Sequence, residues 1–151
     1  MAMERITMGI VFAVAAAGLL AGVLVSGLLV ASRTVSNSGN VKAVGVGVYW
    51  NFACTNETTS INWGSLDPNT TRSYTVYIKN NGTIPVTLSV TKSNWNPASA
   101  STYLTLNWNC TNYLLGNGGV VAGVLTLTVS PSISGIASFS FDITIIGTES
   151  P

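Results

Sequence analysis

The chain has no histidine. That absence removes Ser-His-Asp and Cys-His nucleophilic catalysis, histidine-ligated zinc and type-one copper centres. Charge is scarce too: six Lys and Arg stand against five Asp and Glu in 151 residues, a formal net charge of +1. So sparse a set forms neither a basic surface for nucleic acid nor an acidic tail. Asp67 lies in the turn Asp67-Pro68-Asn69-Thr70 and Asp142 on the polar face of a strand, so nothing pairs them as acid and base. Asp67 with Asn69 and nearby carbonyls offers one acid and one amide, thin for calcium. No glycine-rich phosphate loop follows a strand and opens a helix, which leaves a nucleotide site unsupported. The expectation is a protein that is not an enzyme, with no cofactor, no metal, no nucleic acid and no small-molecule substrate.

The longest hydrophobic run is Ile6 to Ser32, ITMGIVFAVAAAGLLAGVLVSGLLVAS, and it contains no charged residue. As a helix, its roughly 27 residues would be about 40 Å long, enough to cross a ~30 Å hydrocarbon core with tilt. It is apolar all round, where a core helix of a soluble domain keeps a polar face. The chain is therefore addressed to a membrane, through a hydrophobic N-terminal helix within residues 1–32. Two outcomes stay open. The length suits a retained anchor, whereas the small residues Ala31 and Ser32 before Arg33 suit a cleaved signal. Gly18-x-x-x-Gly22 has the spacing of closely packed membrane helices, a pattern common by chance in such runs. Arg5 and Arg33 on opposite flanks give no bias for orientation.

The 119 residues after Ser32 are the size of one domain with a real core. Residues 33–41 read as a polar linker and 42–151 as the folded domain. Serine, threonine and asparagine supply the polarity, and Val, Ile, Tyr and Trp are frequent, which is the composition of a β-rich extracellular domain. Cys54 and Cys110 are the two cysteines. Outside the cytoplasm they would be expected to pair, and closing that loop could stabilise by ~4 kcal/mol.

Period-two patterning runs through the domain. Val44, Val46, Val48 and Trp50 alternate with Ala43, Gly45, Gly47 and Tyr49, so one face of this strand is apolar and the other nearly bare. Ile61 to Leu66 is a short strand. Tyr74, Val76 and Ile78 share a face, and Asn80-Asn81-Gly82 has the turn chemistry of a tight hairpin. Ile84, Val86, Leu88 and Val90 face inward in the next strand. Tyr103 to Trp108, Val120 to Val129 and Ile136 to Ile146 complete the set, with Phe139, Phe141, Ile143 and Ile145 inward. About seven strands with turns between them predict an all-β, antiparallel, immunoglobulin-like or jelly-roll sandwich with no helix after Arg33.

Four glycosylation acceptors occur, at Asn56, Asn69, Asn81 and Asn109. Chance would supply about three at this content of asparagine, serine and threonine, so position matters more than number. Asn56 and Asn69, in predicted loops, are the first choices. Asn81 must also make a tight turn, and Asn109 adjoins Cys110. Trp50 and Trp108 fall in phase with inward residues and read as core. Trp63 and Trp95 lie beside turns, where partial burial is the simpler role and sugar stacking the alternative.

The apolar run, the small-residue junction, the Val/Gly strand VKAVGVGVYW, the segment WGSLDPNTTRSYTVYIKNNGTIPVTLSV and the closing SGIASFSFDITIIGT together resemble archaeal secreted β-sandwich proteins. These are related to TasA/camelysin-type biofilm fibre subunits and archaeal bundling pilins. The resemblance covers nearly all of the chain and rests on structural patterns rather than catalytic signatures. It implies removal of the leader near Ala31, Ser32 and Arg33, and insertion of the new N-terminal segment as a strand into the next subunit. The donor would lie within Arg33 to Trp50, carried by Val41, Val44, Val46, Val48 and Trp50. The leading expectation is an exported structural subunit of an extracellular filament or biofilm matrix, with itself and the membrane as partners. The alternative is a monomeric cell-surface sandwich, anchored by residues 6–32 and binding carbohydrate or a protein.

Overall fold

The computed structural model describes residues 37–150. The hydrophobic helix, the junction at Ala31, Ser32 and Arg33, and Pro151 lie outside the described residues. No helix among those described is long and apolar enough to cross a membrane.

The chain folds into two packed β-sheets. The strands are β1 (Ser38–Val44), β2 (Gly47–Tyr49), β3 (Ser60–Asn62), β4 (Thr71–Lys79), β5 (Val86–Asn96), β6 (Leu104–Trp108), β7 (Leu114–Leu115), β8 (Val120–Val129) and β9 (Ser140–Glu149). One sheet has the order β3-β1-β9-β5-β7 and the other β2-β4-β8-β6. Alternation works as expected in the long strands: Val76 and Ile78, Leu125 and Leu127, Leu104 and Leu106, and Phe139 through Ile145 on alternate positions are all buried between the sheets.

Aromatic rings link the two layers. Trp50 meets Tyr74 edge-on at 6.2 Å, Tyr74 meets Trp63 at 5.3 Å, and Trp63 stacks toward Phe141 at 6.5 Å. Trp95 closes the series, lying nearly parallel to Phe141 at 4.1 Å. Trp63 is fully buried and Trp50, Trp95 and Trp108 are packed against the core, so all four tryptophans are structural.

Five features depart from the sequence expectations. First, the sandwich is not purely antiparallel, because β1 runs parallel to β9 over seven residue pairs from Ser38↔Ser140 to Val44↔Ile146. Second, the Val/Gly segment is two strands rather than one. Gly45 takes a φ of +73°, a conformation that costs a residue with a β-carbon, and the chain turns there from one sheet into the other. The inward phase shifts with it: Val41 is buried below the break and Val46 and Val48 above it, while Val44 is 54% exposed. Strand β1 also begins inside the predicted linker.

Third, Asn80-Asn81-Gly82 is no hairpin, since β4 and β5 belong to different sheets. Buried Asn80 organises the crossover. Its side-chain amide donates to the carbonyls of Ile84 (2.8 Å) and Leu115 (3.2 Å), and its Oδ1 accepts from the Gly82 N–H (2.9 Å). Its backbone N–H donates to Gly119 O and its carbonyl accepts from Gly118 N–H, so every polar group of the residue is used. Fourth, β5 begins only at Val86, which leaves Ile84 41% exposed in the crossover. Fifth, a single helical turn, α1 (Ala100–Tyr103), precedes β6 in a segment read as loop, with Ala100 buried beneath it.

Candidate functional site

The predicted donor segment sits within its own chain. Strand β1 is hydrogen-bonded between β3 and β9, and β2 pairs with β4 through Val48↔Ile78 and Tyr49↔Tyr77. Asn37 holds the entry: its Nδ2 donates to Gly64 O at 2.8 Å, and its Oδ1 accepts from the Phe139 N–H at 3.1 Å. Of the donor residues, Val41 and Val44 belong to β1 and Val48 to β2, whereas Val46 and Trp50 flank β2 on either side.

The expected disulfide is not formed; both thiols are free. Cys54 follows β2 and Cys110 follows β6, the opposite edges of the four-stranded sheet. With two strands between them, those edges stand about 14 Å apart. Cys54, at a φ of +56°, donates to Phe52 O. The Cys110 thiol is buried against Asn109 Oδ1 and Ala122 O, and burial pushes its pKa up.

Asn56, Asn69, Asn81 and Asn109 are all exposed. Asn69 occupies a left-handed turn, and Asn109 uses its Oδ1 to accept the Val124 N–H at 2.8 Å. Asp67 and Asp142 do not meet. Asp142 is instead the centre of a polar cluster on the outer face of the five-stranded sheet. It accepts from Lys42 Nζ (2.7 Å), Asn94 Nδ2 (2.7 Å) and Asn40 Nδ2 (3.1 Å). The Lys42 contact and then the two amides hold its carboxyl down at about 2. Among the described residues no three metal-ligating side chains cluster.

The outer face of the four-stranded sheet carries a constellation that the tryptophan-centred reading missed. Since Val48, Tyr74, Val76 and Ile78 point inward, their neighbours Tyr49, Ser73, Thr75 and Tyr77 point out. Tyr49 and Tyr77 are direct cross-strand partners, and exposed Phe52 meets the Tyr77 ring edge-on at 6.0 Å. The Tyr49 ring folds back over Gly47: a β-carbon there would stand 2.6 Å from Tyr49 Cε2 and Oη. The bare glycine thus makes room for a ring of its own chain.

Below these rings the face is a grid of hydroxyls. Registered rows place Thr71 beside Thr128 and Thr105, and Ser73 beside Thr126 and Asn107. Thr71 and Thr128 approach to 3.3 Å and Ser73 and Thr126 to 3.0 Å. Lys79, beside Gly47, and Glu57, bridged to Tyr49, put charge at one end of this face; Arg72 turns the other way and donates to Trp63 O.

No family model and no curated protein matches the chain. Among solved structures it is similar to the ASH/PapD-like domain of human CEP192 (PapD-like domain 7), at 10% identity and a TM-score of 0.33, over 56% of this chain and 75% of that one.

Proposed function

We propose that the protein is an exported structural subunit that builds an extracellular filament or matrix by passing β1 into the sheet of the next copy. The observation that carries this reading is the place of β1: the first described strand is an interior strand, held between β3 and β9. Its departure would leave unpaired N–H and C=O groups on both neighbours and uncover the apolar layer at Ile61 and Ile143. Only an equivalent strand restores both, and an identical copy carries one. The exchanged unit would be Ser38–Val44, with Gly45 and Val46 as the hinge and β2 staying with β4. Repeated head to tail, such a contact does not close and gives a fibre. The four exposed asparagine acceptors suit an extracellular surface bearing glycans. Affiliation with immunoglobulin-like or jelly-roll sandwiches belongs to the same reading, supported by the side-by-side first and last strands.

One observation favours a second reading, a monomeric surface domain anchored through residues 6–32: β1 fills the slot of its own chain. A double variant, Val44→Cys with Ile146→Cys, separates the two in a background with Cys54→Ser and Cys110→Ala. These partners face each other across the β1–β9 ladder. Under exchange, oxidation yields a ladder of covalent oligomers on a non-reducing denaturing gel, and electron micrographs show fibres. A single internally bonded monomer, with monodisperse particles, would leave the anchored domain as the reading.

A further inference from the structure

We infer that Lys92 is a guard that keeps the open edges of β5 and β6 from pairing with a second copy of the chain. Strand β7 covers only the first part of β5. Past Val86 and Thr87, the last rungs are the Leu88 N–H donating to Tyr113 O and the Asn112 N–H donating to Leu88 O, each at 2.9 Å. Main-chain groups alternate between the two sides of a strand, so those of Val90 and Lys92 point the same way as those of Leu88, away from β9. Among the described residues no backbone group meets them.

This edge has the makings of a template for a further strand. From Val86 to Asn96 the sequence is VTLSVTKSNWN, rich in β-branched residues, and Lys92 is its single charge. A row of free N–H and C=O groups in such a strand pairs with another chain unless something prevents it. Strand β6 is an edge as well, the last of the four-stranded sheet. The Ser130 N–H donates to Tyr103 O, which turns alternate residues toward β8 and leaves the Leu106 carbonyl on the open side.

Lys92 stands where the alternation calls for an apolar residue. Leu88 is buried and Val90 packs against the core; Lys92 follows them in phase, opposite buried Ile143 of β9. Its side chain crosses between the sheets, and Nζ donates to Leu106 O at 3.3 Å. One ammonium thus occupies both edges. A strand added to either would displace it from Leu106 O or bury it without a partner. Two β5 edges meeting antiparallel about their middle would bring two such ammoniums together, which repels. Beyond Lys92 the ladder is broken by the irregularity between Ser93 and Asn96, where Asn94 takes a φ of +55°, and a bulge bends the strand that carries it.

The guard is independent of strand exchange, because β5 and β6 keep their places whether or not β1 moves. The test uses the full chain in detergent, native and with Lys92→Thr, Lys92→Val or Lys92→Arg. Sedimentation velocity should show the Thr and Val variants associating about tenfold or more tightly than the native chain, and the Arg variant behaving as native. Hydrogen exchange locates the contact: the amides of positions 90 and 92 exchange fast in the native chain and become protected in the Thr and Val assemblies. A fibre made by passing β1 leaves both amides bare, so the two kinds of association are told apart. Lys92 is exposed, and circular dichroism checks that each variant is folded. Thr and Val variants that associate no more than the native chain overturn the proposal, as does association that leaves these amides unprotected. Protection of the Val90 and Lys92 amides in the native chain also overturns it, and that arm stands even if a variant misfolds.

Discussion

Gly45 and Gly147 pass so close that a β-carbon on Gly45 would stand 2.5 Å from the Gly147 carbonyl oxygen. This contact fixes the corner where the chain leaves one sheet for the other, and Gly45 must also hold a φ of +73°. Gly45→Ala therefore meets both backbone strain and a clash with main chain that cannot rotate away. A loss of about 2 kcal/mol or more is expected in urea unfolding. Gly135 is the control: its φ is +72°, but nothing stands near its missing β-carbon, so Gly135→Ala should cost about 1 kcal/mol. Equal losses in the two variants would show that the Gly147 contact is soft.

Asn80 supports a second quantitative expectation. Asn80→Ala strips partners from the carbonyls of Ile84 and Leu115 and from the Gly82 N–H at a buried site. Each orphaned group costs about 1–3 kcal/mol, less where water can enter, so a total near 2–4 kcal/mol is expected. Asn80→Asp should not rescue it at neutral pH, since a carboxylate would face two carbonyl oxygens. Denaturant melts of the two variants decide this; a loss below about 1 kcal/mol for Asn80→Ala would contradict it.

Acid should weaken the sandwich through Asp142. Its folded carboxyl, held at about 2 by Lys42, Asn94 and Asn40, lies below the ordinary value of 3.8. A depressed carboxyl stabilises the fold above the unfolded value, and that contribution is lost as pH falls from there through about 2. Thermal melts from pH 6 to pH 2 should therefore slope downward at the acid end. Asp142→Asn should flatten that slope while lowering Tm at pH 7, and Lys42→Met should move its midpoint toward the ordinary value. An unchanged acid slope in Asp142→Asn would assign the effect elsewhere.

The thiols give a simple readout. Native protein should react with a thiol reagent at Cys54 only, because Cys110 is 3% exposed; denatured protein should react at both. Reductant should leave Tm unchanged. A Tm drop on reduction would mean that a bond between the two does form.

What the sequence discloses and what it hides divide along physical lines. Period-two alternation identifies inward residues wherever a strand is long and one face is buried, as in Tyr74-Val76-Ile78, Leu104-Leu106 and Phe139 to Ile145. Strand partnership is another matter. Asn80-Asn81-Gly82 has hairpin chemistry, yet the buried Asn80 side chain, bonded to two carbonyls and one N–H of the crossover, uses the same residues for a different turn. Alternation also fails across Gly45, because a left-handed residue resets the phase and sends Val44 outward.

The buried amides Asn37 and Asn80 carry no local signal, since their partners lie as far away as Phe139 and Leu115. The aromatic face was half legible. Tyr49 and Tyr77 fall opposite inward positions, which says that they face out; that they face each other depends on register, and tryptophan drew attention to the core instead. The same dependence on distance in the fold, rather than along the chain, misled the cysteine pairing.

Strands β1 and β9 start at the same pole of the sandwich and run side by side to the other. A pull on the molecule through Asn37 at one end and Ser150 at the other would slide these two strands along their length. Every hydrogen bond of the ladder would then share the load at once, where an antiparallel hairpin would unzip one rung at a time. In a domain held at both ends, that arrangement makes the first and last described strands a tension-bearing clasp.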